Sequence, residues 1–207
     1  MWQCFRAKCG VTGATQGYAF SKGDLTPKPR PTWEGTPHEV PPKVAEAIFN
    51  KWGLVDVPHW YWTTDYGGRI AMSVRTPDDV HRGWVLRSLT STQSSKALTF
   101  LEEGVGLSWY KKPNAPTVLV EDIPSAARAA KHVSAVALLG TGVGDPRATE
   151  IAKQAQRPII IALDQDATQK SFDLAKKYSL LWGEVKILPL KTDIKDMEEE
   201  ELCQLLQ

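Results

Sequence analysis

The sequence has little cysteine, no long apolar run and almost no net charge, and each shortage removes a class of protein. Cys4, Cys9 and Cys203 are its three cysteines, too few and too scattered for a disulfide framework, which suits a reducing compartment. No stretch approaches the roughly 18 consecutive apolar residues of a membrane helix. The opening Met1-Trp2-Gln3-Cys4-Phe5-Arg6 lacks the apolar segment of a secretory signal. A cytoplasmic protein with no membrane partner is therefore expected. Internal repeats and low-complexity tracts are missing too, as is a Gly-x-x-x-x-Gly-Lys-Ser/Thr phosphate loop. The run Gly140-Thr141-Gly142-Val143-Gly144 has no following lysine and reads as a flexible loop after a strand.

What is present is unevenly divided. The net charge is +1 over 207 residues, but residues 1–116 carry 14 Lys and Arg against 10 Asp and Glu, whereas residues 117–207 carry 11 against 14. The first part also holds seven of the eight tryptophans. A basic, Trp-rich part suits a polyanion gripped through phosphates and stacking, and an acidic part suits a cation; solvated surface is the plainer account of both imbalances.

Residues 1–24 form a polar head, and the six prolines of residues 25–42 mark a linker with little regular structure. The spacing of Val44, Ala47, Ile48 and Trp52 predicts a helix over 43–52, stopped by Gly53. Segments 59–63, 69–75 and 82–88 read as an antiparallel meander, with Trp84 packed in its core. From 117 onward the pattern alternates: strands at 117–121, 134–139, 157–163 and 184–189, with helices at 123–131, 146–156 and 168–178 between them and a short acidic helix over 196–206. Such alternation predicts an α/β domain, a mostly parallel sheet flanked by helices, preceded by a smaller basic subdomain over 43–116.

The most informative residues are acids placed where buried strands end. Glu121 follows Thr117-Val118-Leu119-Val120, Asp164 and Asp166 follow Pro158–Leu163, and Asp193 and Asp196 follow Val185–Pro189. The carboxyl ends of parallel strands are where ligands collect. One acid after a strand is commonly a turn former or cap, but three such sets converging would repel one another unless a cation lay between them. Hard carboxylate oxygens suit Mg²⁺ or Mn²⁺, with a phosphate compound as substrate. Asp122 adjoins Glu121, and neighbouring strand residues point to opposite faces, so the two are not expected to meet one ion.

The order Val120-Glu121, Leu139-Gly140-Thr141, Leu163-Asp164-Gln165-Asp166-Ala167, Gln169-Lys170, Leu188-Pro189 and Asp193-Ile194-Lys195-Asp196 resembles the TOPRIM domain of bacterial and phage primases over roughly 117–197. The preceding Gly68-Arg69-Ile70, Val74-Arg75, Arg82-Gly83-Trp84, Arg87 and Ser95-Lys96 are similar to the basic N-terminal subdomain of DnaG-type primase cores. The head, Trp2 through Gly13, looks like the second knuckle of a primase zinc ribbon. This resemblance implies a DNA primase, joining ribonucleoside triphosphates into short RNA primers on a single-stranded DNA template, with a replicative helicase supplied by another chain or a longer parent. It makes Glu121 the catalytic glutamate, Asp164 and Asp166 the metal pair and Asp193 an outer metal acid, with two Mg²⁺ or Mn²⁺ ions as the usual arrangement. Lys96 matches the family's lysine before the TOPRIM domain, and Arg69, Arg75, Arg82 and Arg87 are candidates for gripping template and nucleotide, a task that suits the guanidinium fork.

The sequence also departs from the family. Ser125 stands where many primases carry a second acid, leaving Asp122 nearby, and Lys195 stands where the last motif often has its second acid. Cys4 and Cys9 supply half of a zinc site, and half a knuckle does not hold zinc alone: the chain is a trimmed piece, a short form without the ribbon, or one of two chains sharing the metal. Two other functions compete, a TOPRIM nuclease cutting phosphodiesters and a non-catalytic nucleic-acid-binding module derived from a primase.

Overall fold

The computed structural model describes residues 2–3, 12–13, 31–90, 95–140 and 142–206. In chain order the elements are β1 (Trp2–Gln3), β2 (Thr12–Gly13), α1 (Pro42–Trp52), β3 (Trp60–Thr63), β4 (Arg69–Arg75), β5 (His81–Arg87), β6 (Ala97–Leu101), β7 (Ser108–Tyr110), β8 (Thr117–Val120), α2 (Ile123–Ala129), β9 (Ser134–Ala137), α3 (Asp145–Gln154), β10 (Ile159–Ile161), α4 (Thr168–Trp182), β11 (Val185–Ile187) and α5 (Glu199–Leu205). Cys4 and Cys9 lie outside the described residues, so the zinc-ribbon reading of the head is left where the sequence put it.

Two larger sheets carry the architecture. One is antiparallel, in the order β3-β4-β5-β6; the other is β11-β10-β8-β9-β7, parallel except for β7, which runs antiparallel to β9. The fold is therefore mixed α/β, as the alternation of apolar runs predicted. Strands β8 to β10 are nearly continuous runs of small and apolar residues because successive side chains alternate between two covered faces. Val118, Val120, Ala135 and Ala137 join one core with α1, α2, α5 and the inner face of the antiparallel sheet (Ile70, Met72, Val74, Val85). Leu119, Val136, Leu138, Ile159 and Ile161 join a second core under α3 and α4. The first core fastens the antiparallel sheet to the parallel one, and so holds the two halves of the site in register.

Several local details follow from residue chemistry. Gly53 ends α1 in the left-handed region (φ 61°), its N–H returning to the Phe49 carbonyl at 2.7 Å, a conformation that costs glycine nothing. The buried Arg128 guanidinium in α2 donates to the Trp52 carbonyl (2.8 Å) and the Met197 carbonyl (2.7 Å), tying the end of α1 to the turn before α5. The described part of the proline-rich segment before α1, residues 31–41, is irregular except at His38, whose backbone exchanges two 2.8 Å hydrogen bonds with Trp62 at the sheet edge.

Three expectations are corrected. Trp84 lies on the face of the antiparallel sheet away from the shared core, partly exposed, with its ring against Trp33, Tyr61 and His81 at 5.2, 5.7 and 4.5 Å between centroids. Helix α4 runs to Trp182 rather than stopping at 178, because that fully buried indole donates to the Ala148 carbonyl at 2.9 Å and anchors a last turn otherwise exposed at Leu180. The final helix begins at Glu199, not at Asp196. The buried, extended Met197 separates it from a 3₁₀ turn over Ile194–Asp196.

Candidate active site

Three loops bring acids together at the carboxyl end of the parallel strands. Glu121 follows β8, Asp164 and Asp166 follow β10, and Asp193 opens the turn after β11. The parallel register pairs Leu119 with Ile161 and Ile161 with Ile187, so the residues just beyond those positions emerge side by side. The Glu121 carboxylate accepts the Asp164 backbone N–H at 3.2 Å, and the Glu121 carbonyl accepts the Gly140 N–H at 3.2 Å. The glycine loop after β9 thus braces the catalytic candidate from behind.

Burial, with Asp164 and Asp166 nearby, pushes the Glu121 carboxyl up to about 7, although the Asp164 N–H opposes it. Asp164 is likewise raised by burial to about 6, with Asp193 and Asp122 adding to the rise and Lys195 opposing it. A pair of carboxylates held this way in one corner is strained by like charge and is relieved by a cation. Asp166 sits exposed beside them in the turn Gln165–Ala167.

Asp122 turns the other way, as strand alternation requires. Its side chain caps α2 by accepting the Ser125 N–H at 3.0 Å, and pairs with the buried Arg87 guanidinium at 2.9 Å. Burial alone would raise its pKa, but Arg87, Lys195 and the Ser125 N–H outweigh that and hold it low. Arg87 also lies over the Trp52 ring at 5.6 Å, an aromatic contact that favours a guanidinium. Asp122 is thereby committed to structure, and Ser125 supplies a backbone donor where an acid was looked for.

Lys195 is the residue whose part the sequence did not reveal. Its side chain is 4% exposed; the ammonium hydrogen-bonds the Asp193 carboxylate and lies 3.6 Å from both Asp122 and Asp164 and 3.9 Å from Asp196. Burial would lower its pKa, yet the surrounding carboxylates raise it, so the lysine is a fixed cation. A lysine between two aspartates reads as surface in a sequence; only the packing of Ile194 and Met197 turns it inward.

The basic candidates are scattered rather than gathered. Arg87 is at the acid end of β5, and Lys96, exposed, adjoins it, since Ala97 pairs with Arg87 and the Lys96 carbonyl accepts the Ser88 N–H at 3.1 Å. Arg69 is buried, its guanidinium donating at 3.4 Å to the Tyr66 and Leu86 carbonyls. Arg75 and Arg82 lie toward the opposite end of the sheet, about five strand residues or ~17 Å from Arg87. There Arg75 is paired with Asp79 at 2.5 Å and Arg82 with Glu102 at 2.7 Å. Cys203 lies partly buried in α5.

Among the described residues no three His, Cys, Asp or Glu side chains are grouped so that they could together hold a metal ion. The donors at Glu121 and Asp164 nevertheless fit Mg²⁺ or Mn²⁺. Mg²⁺ is commonly held by one or two carboxylates, with water and substrate phosphate completing its octahedron.

No protein-family model and no curated protein matches the chain. Solved structures do. The Aquifex aeolicus primase (zinc-binding and RNA polymerase domains) is 20% identical with a TM-score of 0.55, over 82% of this chain and 49% of that one. The primase fragment of the bacteriophage T7 primase-helicase protein is 12% identical with a TM-score of 0.57, over 87% and 78%. A DnaG primase catalytic domain bound to single-stranded DNA is 15% identical with a TM-score of 0.53, over 80% and 58%. The chain thus spans about half the length of the Aquifex structure. Its two sheets and their helices have the fold of primase catalytic cores.

Proposed function

We propose that this chain is a DNA primase core that joins ribonucleoside triphosphates on a single-stranded DNA template. The observation that carries the reading is the meeting of Glu121 and Asp164 at the ends of adjacent parallel strands, beside the Arg87 and Lys96 end of the antiparallel sheet. In this reading residues 117–207 form a TOPRIM domain, residues 43–116 the basic subdomain, 25–42 the linker and 1–24 half of a zinc ribbon. Glu121, Asp164 and Asp166 hold Mg²⁺ or Mn²⁺, which when bound neutralises phosphate charge during nucleotidyl transfer. Glu121, poised near neutrality, accepts a proton or holds a water at the reacting phosphate. Lys96, exposed beside the Arg87 end of β5, meets the incoming triphosphate. Arg87 keeps Asp122 turned away from it. Arg75 and Arg82, at the far end of the antiparallel sheet, exchange Asp79 and Glu102 for template phosphate.

A second reading, a non-catalytic module that grips nucleic acid without turnover, is favoured by one feature: Asp122 and Asp193 are already engaged by Lys195. The test is incubation with single-stranded DNA, labelled ribonucleotides and Mg²⁺ or Mn²⁺. Short RNA products support the primase; cut DNA would move the site to a nuclease; binding with neither product would favour the module.

A further inference from the structure

We propose that Lys195 is a resident cation that limits this site to a single divalent ion. The inference rests on the reading of Glu121 and Asp164 as divalent-ion ligands, and it concerns the other side of Asp164. There the Lys195 ammonium lies 3.6 Å from Asp122, 3.6 Å from Asp164 and 3.9 Å from Asp196, and hydrogen-bonds Asp193. Two-ion sites place their ions about 3.5–4 Å apart, bridged by a shared carboxylate. Asp164 is the carboxylate that a second ion would have to share: its charge acts on Glu121, which accepts its backbone N–H, and its Oδ2 faces Lys195. A second ion coordinated by Asp164, Asp122 and Asp193 would fall where the ammonium already lies, and ammonium and dication would repel strongly at that separation.

The lysine is held there by its surroundings. The turn that carries it is pinned by the Arg128 bond to the Met197 carbonyl and by the buried Ile194 and Met197. Arg87 supplies a second fixed positive charge to Asp122 at 2.9 Å. The Asp122, Asp193 and Asp196 side of the site therefore holds two fixed cations, Lys195 and Arg87, against three carboxylates, whereas on the Glu121 side the cation acting on that carboxylate is Lys170. The asymmetry assigns the divalent ion to the second side.

The test counts Mn²⁺ ions bound by the full chain, by calorimetric titration and by the electron paramagnetic resonance of bound Mn²⁺, in which two adjacent ions couple and one does not. The wild-type chain is expected to bind one uncoupled ion, Lys195→Arg the same, and Lys195→Ala two coupled ions. Two ions on the wild-type chain would overturn the inference and leave the metal reading standing, whether or not the alanine variant folds. One ion on a folded Lys195→Ala chain would overturn it equally. No ion on either protein would refute the metal reading of Glu121 and Asp164, and this inference with it.

Discussion

Replacing Glu121 by Gln should stabilise the metal-free protein above about pH 4.5, and by the full amount only above pH 7. The carboxyl is raised from its ordinary 4.5 to about 7. At 1.36 kcal/mol per tenfold change in proton affinity, ionising it in the folded chain costs about 3 kcal/mol, which water around a partly buried group reduces to about 2 kcal/mol. The sign follows from linkage. Because the folded-state pKa lies above the unfolded one, the cost is absent below pH 4.5, grows as pH rises, and is fully present above 7. Glutamine keeps an oxygen to accept the Asp164 N–H while removing the charge. For a chain of this size 2 kcal/mol is about 4–8 °C in melting temperature. Thermal unfolding in EDTA should therefore place Glu121→Gln about 4–8 °C above wild type at pH 8 and level with it at pH 4. Added Mn²⁺ should raise the wild-type value and narrow the gap, since the variant has lost a ligand. A variant that is less stable at pH 8, or equally more stable at both pH values, would refute the electrostatic account of the site.

Other outcomes follow from the same structure. Asp164→Asn should remove metal-dependent turnover while leaving the fold intact, read as lost product with an unchanged circular-dichroism spectrum. Arg128→Ala should cost about 3 kcal/mol, because it strands the Trp52 and Met197 carbonyls in the core and leaves a void; a shift of the urea midpoint measures it, and a change below 1 kcal/mol would mean that the guanidinium does not pin the α5 turn. Trp52→Ala, at a side chain 1% exposed, should cost about 3–5 kcal/mol, whereas Trp84→Ala should cost about half as much, since its cluster is open to solvent. Equal costs would place Trp84 back in the core.

The parts of the fold legible in the sequence are those in which one strand or helix carries its own evidence. The runs Thr117–Val120 and Ile159–Ile161 are apolar because both faces are covered, and α1 declares itself through Val44, Ile48 and Trp52 with glycine after them. Strands β6 and β7 were not foreseen. Thr99 of β6 is exposed on an edge, which blurs its pattern, and β7 is three residues defined by pairing with β9 rather than by composition. For the site, the convergence of Glu121 and Asp164 followed from strand ends in a parallel sheet. The burial of Lys195, the retreat of Arg69 into carbonyls and the diversion of Asp122 to Arg87 did not. Each depends on which charges meet across elements distant in sequence, and no periodicity records that.

Primer synthesis on single-stranded DNA, with wild type run beside Glu121→Gln and Asp164→Asn in Mg²⁺ and in Mn²⁺, tests the central claim most directly. The account predicts short ribonucleotide products from the wild-type chain that require the divalent ion and vanish in both variants. Products that persist in Asp164→Asn, or that form equally in EDTA, would contradict it.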